Sequence, residues 1–223
     1  MRTLHGPELD QSYRLRHRVF AETLRWVLPS SDGKEIDLYD VWGTTIGLVR
    51  ADGMVVGMAR LLPSSGPFML EHDLAALLPP GHRVRKTSDT AEITRLAVTP
   101  EIRDKGLSAR IMLAVLKGVY QWAVENNVRY YYLEVEHRFL RVLRALGFPC
   151  EPLGAPVSLP PAGASSVAAV YDMMQFDEQN ARRRPEFLQW MSTIQTMDGV
   201  VVTGRQALAC TNQELVQAGA AGG

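Results

Sequence analysis

The chain has 223 residues but only two cysteines, Cys150 and Cys210, with no Cys-x-x-Cys pair and no histidine at ligand spacing. A disulfide framework and a structural zinc site are thereby excluded, and a reducing compartment fits. No stretch keeps about eighteen apolar residues together, and the amino end, MRTLHGPELDQSYRLRHRVF, has no apolar run of the signal type. Membrane spanning and secretion are therefore not expected, and a cytoplasmic location is. Nor is there an excess of charge: Lys plus Arg is 24, Asp plus Glu is 24, and the formal net charge is zero. A broad phosphate-binding surface needs surplus cations, so a nucleic-acid partner is not expected.

What the chain does have is 46% hydrophobic residues, enough for a core without staples. No repeat or linker divides it, so residues 1–223 read as one domain, with 219–223 too poor in side chain to pack. Residues 8–24 carry apolar positions at helical spacing, and 25–41 form a long loop rich in aromatics and acids, a composition that points to function. TTIGLVRADGMVVGMARLLP reads as two strands joined by a tight turn at Asp52-Gly53. A short helix near 70–78 follows, then a third strand, TAEITRLAVTP, and a helix of about five turns in EIRDKGLSARIMLAVLKGVYQWAVENN. VRYYYLEVE is a strand, HRFLRVLRALGF a helix, PCEPL a short strand, GAPVSLPPAGAS a loop and SSVAAVYDMMQF a strand, before a last helix broken early by Pro185. Strand, helix, strand is the βαβ order, and an α/β fold with a single mixed sheet and helices on both faces is expected.

Between the third strand and its helix lies Arg103-Asp104-Lys105-Gly106-Leu107-Ser108. Free amides at a helix start attract phosphate, and small residues let it approach the backbone. A plain helix start, with Gly106 for geometry and Ser108 solvated, explains the same letters. Glu92 and Arg95 stand at i, i+3 and would point to opposite faces of a regular strand, so a bulge or separate partners must be invoked. Asp37, Asp40 and Arg60 read equally well as a structural ion-pair cluster or as a site. Arg16 reads equally as one charge on a helix face, and Phe20 and Trp26 as core aromatics.

The Arg103 to Ser108 loop resembles the acyl-coenzyme A loop of the Gcn5-related N-acetyltransferase superfamily. The series Arg16, Phe20, Trp26, Asp37, Asp40, Arg60, Glu92 and Arg95 is, in order and spacing, similar to that of the LuxI-type acyl-homoserine-lactone synthases, the autoinducer synthases of quorum sensing. The resemblance covers residues 10–200 in element order, with its specific motifs between 16 and 95. It implies a Gcn5-related N-acetyltransferase-like fold and an acyltransferase that joins the α-amine of S-adenosyl-L-methionine to an acyl thioester. The methionine portion is then closed to a lactone, releasing 5′-methylthioadenosine, with no metal or other cofactor. It implies that Arg16, Phe20 and Trp26 hold S-adenosylmethionine, that Glu92 acts as base, and that Asp37, Asp40, Arg60 and Arg95 form a charged network over the nucleoside. Arg16, Trp26 and Glu92 must then border one hollow.

Arg103, Gly106 and Ser108 would hold the thioester. Leu133 stands where family members that prefer 3-oxo chains often have Thr, and with Tyr131, Met112 and Leu116 it suggests a compact tail pocket. The resemblance extends to the subgroup using short branched or aryl acyl-CoA, with isovaleryl-CoA the first choice. Acyl carrier protein is the alternative donor, since Arg138, Arg141, Arg144 and Arg182 to Arg184 could dock an acidic partner or simply be solvated. An N-acetyltransferase using acetyl-CoA would explain the loop but leave the aromatic and acidic segment unused. A sensor that binds such ligands without turnover would need a second module that the sequence does not display.

Overall fold

The computed structural model describes residues 1–195 and 201–203; Cys210 and the 219–223 end lie outside the described residues. Eight strands form one sheet in the order β1 (Arg2–Thr3), β2 (Thr44–Val49), β3 (Val55–Pro63), β4 (Thr90–Val98), β5 (Tyr130–Glu136), β8 (Ala164–Asp172) and β6 (Glu151–Pro152), with β7 (Val157–Leu159) also paired to β8. Among the described residues only β4 and β5 run parallel, because the helix between them carries the chain back across the sheet. A small hairpin, β9 (Thr193–Gln195) with β10 (Val201–Thr203), stands apart.

The first helix ends earlier than its periodicity predicts. α1 spans Gly6–Arg16, and the chain then widens into a π-helical turn over His17–Thr23, a form that gathers at functional sites. The β2–β3 hairpin turns at Asp52-Gly53 as read, with Gly53 at φ 81° supplying the left-handed conformation. In place of a helix at 70–78 there are two 3-10 turns, Met69–Glu71 and Ala75–Leu77. α2 (Lys105–Glu125) starts where Asp104 accepts the Leu107 N–H, four residues later than the pattern proposes. α3 (His137–Ala145) follows β5 directly. Within GAPVSLPPAGAS, read as loop, β7 adds a short edge, and β8 gives way at Asp172 to α4 (Met173–Arg183), with α5 (Pro185–Ser192) after the Pro185 break.

The strand alternation sends two sets of side chains to two cores. Ile46, Leu61, Ile93, Tyr131, Leu133 and Val167 pack with Val115, Val119 and Leu140 from α2 and α3. On that face Gly57 is required, since a Cβ there would meet Ile111 Cγ2 at 2.8 Å. The opposite face carries Met58, Leu62, Tyr132 and Ala168, covered by α1, the π turn and the 66–78 segment. That second face holds the site.

Candidate active site

β4 is bulged. Against β3, Met58 pairs with Ala97 and Arg60 with Thr94, so two steps on β3 face three on β4, and Arg95 adopts φ 54°. The extra residue turns Arg95 toward the face that Arg60 and Glu92 already occupy, which resolves the i, i+3 conflict. Three guanidinium groups meet three carboxylates there. Arg16, at the end of α1 and 0% exposed, donates through Nε to Glu35 at 2.5 Å and through Nη1 to Asp40 at 2.6 Å. Arg60, also 0% exposed, donates to Asp37 at 2.5 and 3.0 Å, to Asp40 at 2.9 Å and through Nε to the Thr94 hydroxyl at 3.0 Å. Arg95 holds Glu35 at 2.8 Å and Asp37 at 2.9 Å. Asp37 and Asp40 also cap the 3-10 turn Leu38–Val41, which fixes their carboxylates at the layer.

Burial alone would push the Glu35 and Asp40 carboxyls up; guanidinium hydrogen bonds and fields, from Arg95 and Arg16 at Glu35 and from Arg16 and Arg60 at Asp40, hold both below the ordinary carboxylate range. Glu92 has no cation as a direct partner. Its two oxygens accept the backbone N–H groups of Met69 at 2.6 Å and Leu70 at 3.0 Å, and burial pushes its carboxyl up to about 7 against them.

β4 and β5 pair only from Thr90↔Tyr130 to Ile93↔Leu133, and beyond that point they part around a cavity of about 540 Å³. Phe20 and Trp26 form one wall, with ring centroids 5.9 Å apart; Trp26 is anchored by its N–H to the Phe20 carbonyl at 2.7 Å. Arg103, Lys105 and Ser108 at the start of α2 form another wall, with Met112 and Phe139 deeper. Arg95 and Glu134 border it where the strands separate.

Of the candidates read from the sequence, the structure brings Phe20, Trp26, Arg95, Arg103 and Ser108 to one cavity. The remaining candidates are elsewhere, and the single hollow expected for Arg16, Trp26 and Glu92 is not what the structure shows. Arg16 is sealed in the ionic layer with Asp37, Asp40 and Arg60, so its fork is committed to carboxylates. Glu92, 1% exposed, holds the turn at Met69 and Leu70 instead of facing the cavity. Leu133 belongs to the helix-side core, as do Tyr131 and Leu116, while Met112 does reach the cavity. Gly106 lies at the helix start outside the lining; a Cβ there would meet only Asp104 Oδ1, at 3.4 Å. Of the basic groups read as a docking face, Arg138 pairs with Glu136 at 2.7 Å, Arg144 with the Cys150 carbonyl at 2.7 Å and Glu151 at 3.1 Å, and Arg184 donates to the Ala145 carbonyl at 2.9 Å.

Sequence reasoning missed Glu35 as a network member and Glu134 as a lining group. Glu35 stood in the loop 25–41 read as rich in acids; Glu134 was signalled only by the alternation Tyr132, Glu134, Glu136 along one strand face. Among the described residues no group of three or more His, Cys, Asp or Glu is placed to hold a metal ion, and no helix is long and apolar enough to cross a membrane.

Residues 2–183 match the family model described as autoinducer synthase. An acyl-homoserine-lactone synthase of Rhizobium radiobacter is 35% identical over 155 residues, covering 68% of this chain and 73% of the relative. An isovaleryl-homoserine lactone synthase of Bradyrhizobium diazoefficiens is 31% identical over 176 residues, covering 77% and 76%. A CoA-dependent acyl-homoserine lactone synthase solved with SAM and isopentyl-CoA superposes with a TM-score of 0.63 at 27% identity, covering 78% of this chain and 81% of that one. The single mixed α/β sheet flanked by helices, of the Gcn5-related N-acetyltransferase type, is the fold these solved relatives share.

Proposed function

This chain belongs to the autoinducer synthase family and is an acyltransferase, and from that premise we propose that it acylates the α-amine of S-adenosyl-L-methionine from an acyl-CoA. The homoserine portion then closes to a lactone, and 5′-methylthioadenosine leaves. The observation that carries the reading is the cavity at the parting of β4 and β5, aromatic on one wall and cationic on the other. Phe20 and Trp26 offer π-faces to a sulfonium or an adenine. Arg95, of the buried network the group that reaches the cavity, takes the carboxylate that Arg16 is too deeply sealed to meet. Arg103 and Lys105, which form no ion pair among the described residues, face the donor's phosphates beside the amides that open α2. Ring closure is intramolecular, so positioning supplies most of the acceleration, and neither a metal nor a redox cofactor enters.

The donor is read as coenzyme A and not acyl carrier protein, because the formal charge balance is even and the Arg103 to Ser108 loop keeps a phosphate cradle. The acyl group is read as short and branched, isovaleryl first. Met112, Val135 and Phe139 give the cavity apolar lining, and one relative and one solved neighbour are named for such chains. The product is a diffusible quorum-sensing signal, made in the cytoplasm.

The test is incubation of the purified protein with S-adenosyl-L-methionine and a panel of straight, branched and aryl thioesters on coenzyme A and on acyl carrier protein. Release of 5′-methylthioadenosine with isovaleryl-CoA, and a matching lactone by mass spectrometry, is expected. Turnover only with carrier-protein donors would overturn the donor. No methylthioadenosine with any donor would overturn the reaction and favour an N-acetyltransferase.

A further inference from the structure

Glu134 is the first residue of β5 beyond the last β4–β5 pair, Ile93↔Leu133. Its neighbours in alternation, Tyr132 and Glu136, show which way it points. Tyr132 packs in the core on the loop-covered face, beside Leu62, Phe68 and Met69, so Glu134 lies on the face that carries Arg60, Glu92 and the Phe20–Trp26 wall. It lines the cavity, half-buried, at the seam where a ligand held by the aromatic wall meets one entering past α2.

Among the described residues its charge has no ion-pair partner. Arg95 on β4 is bonded to Glu35 and Asp37 and reaches Glu134 only through its field. Glu136 on β5 is a like charge, itself paired with Arg138, and Arg103 and Lys105 line the cavity from the start of α2. Burial raises the proton affinity of the carboxyl, against the Ser166 side chain on β8, which favours the ionised form. A half-buried carboxylate without a cation is disfavoured unless something brings one. Glu92 cannot serve in this arrangement, since both its oxygens hold backbone amides away from the cavity.

We propose that Glu134 is the carboxylate that receives the substrate's α-ammonium group and takes its proton. The role rests on the reaction proposed above. Glu134 accepts one proton from the ammonium and passes it to solvent. The free amine attacks the thioester carbonyl, forming the C–N bond; as the C–S bond breaks, the nitrogen's second proton crosses through Glu134 to the departing thiolate. The products are amide and thiol, with one net proton released.

The experiment compares the full chain with Glu134→Gln, Glu134→Asp and Ser166→Ala. Binding of S-adenosyl-L-methionine and of 5′-methylthioadenosine, which lacks the ammonium, is measured by calorimetry, and the pH profile of kcat/KM with the best donor of the panel is recorded. Glu134→Gln should slow acylation by roughly 100-fold, the scale of a general base. It should weaken adenosylmethionine by roughly tenfold through loss of a charge-assisted contact while leaving methylthioadenosine binding unchanged. Glu134→Asp should keep the preference for adenosylmethionine. Ser166→Ala removes a hydroxyl that favours the ionised form, so the acidic limb of the profile should move to higher pH, which a merely structural role would not cause.

An unchanged rate, profile and ligand preference in Glu134→Gln, with the wild type active, would overturn this role and leave the synthase reading standing. A wild type that neither turns over any donor nor binds adenosylmethionine would overturn the synthase reading and the role with it. Should Glu134→Gln not fold, Ser166→Ala decides: an acidic limb that stays where the wild type has it overturns the role.

Discussion

Charge is treated in opposite ways on the two sides of the β4 bulge. Between α1 and the sheet, Arg16, Arg60 and Arg95 meet Glu35, Asp37 and Asp40, each held by partners of the other sign and mostly out of water. At the parting of β4 and β5, Glu134 borders the cavity with no ion-pair partner among the described residues, in the fields of Arg95 and the like-charged Glu136. Matched charge holds the loop 35–41 against the sheet; unmatched charge waits for a ligand. The family's scattered polar positions therefore divide into those that build the wall and those that face the cavity, a division that residue type alone does not reveal.

The contrast breaks most sharply at Arg60. Arg60→Met takes a two-pronged partner from Asp37 and leaves Asp40 with Arg16 alone, which should lower stability by ~3–5 kcal/mol, or about 10 °C in Tm. Glu134→Gln removes a carboxylate that has no matching cation, so its urea midpoint should equal or exceed that of the wild type. Equal losses in the two variants would erase the distinction.

Acid titration sharpens it further. Glu35 and Asp40 bind protons less readily folded than unfolded, so their stabilisation is complete above the ordinary values of 4.5 and 3.8 and is lost as pH falls through and below them. Glu92 acts in the other sense. The folded chain holds its proton more tightly, so this group favours folding at low pH and loses that advantage as pH rises from 4.5 toward about 7. The integrated effect is on the order of 3 kcal/mol. Urea midpoints followed from pH 4.5 to 7.5 should decline in the wild type, and Glu92→Gln should flatten that decline.

Much of this could be read from the letters, and what could not has a common cause. Glu92 and Arg95 at i, i+3 called for a bulge or separate partners, because strand geometry forbids that spacing on one face, and the structure has both. The Phe20–Trp26 wall came from the family resemblance and not from spacing, while the turn from β4 into α2 around Arg103 to Ser108 was marked by local signals, with the helix starting at Lys105 instead of Glu101. The partners of Glu92 did not, since the Met69 and Leu70 amides are donors that every residue but proline carries, and nothing in the sequence says which turn they belong to. Arg16 had the right residue type for a substrate carboxylate, but its burial depends on Glu35 and Asp40 arriving from a loop whose path has no periodicity. The split of 8–24 into α1 and a π turn was likewise hidden, because a π turn shares the apolar spacing of the helix it interrupts.

On the open side, Trp26→Ala should separate wall from core. Trp26 is half-buried, bordering the cavity and packing on Phe20, so its loss should weaken adenosylmethionine and methylthioadenosine alike, by about tenfold for a stacking face. Calorimetry checks this, and a large fall in Tm with intact binding would make Trp26 a core residue instead.

The smallest expected effects lie at two adjacent residues where α2 opens onto the cavity. Asp104 accepts the Leu107 N–H at 2.6 Å and so satisfies a helix-terminal donor; Arg103 beside it is exposed, lines the cavity and forms no ion pair among the described residues. Asp104→Ala should therefore lower stability by about 1 kcal/mol, the usual worth of an N-cap. Arg103→Ala should leave the urea midpoint in place and raise KM for the acyl-CoA by several-fold. That increase should shrink as salt is added, since an exposed guanidinium acts on phosphate through a screened field. If Arg103→Ala instead lowers the midpoint and leaves KM alone, the cationic wall is part of the scaffold, and the division between matched and unmatched charge does not extend to the mouth of the cavity.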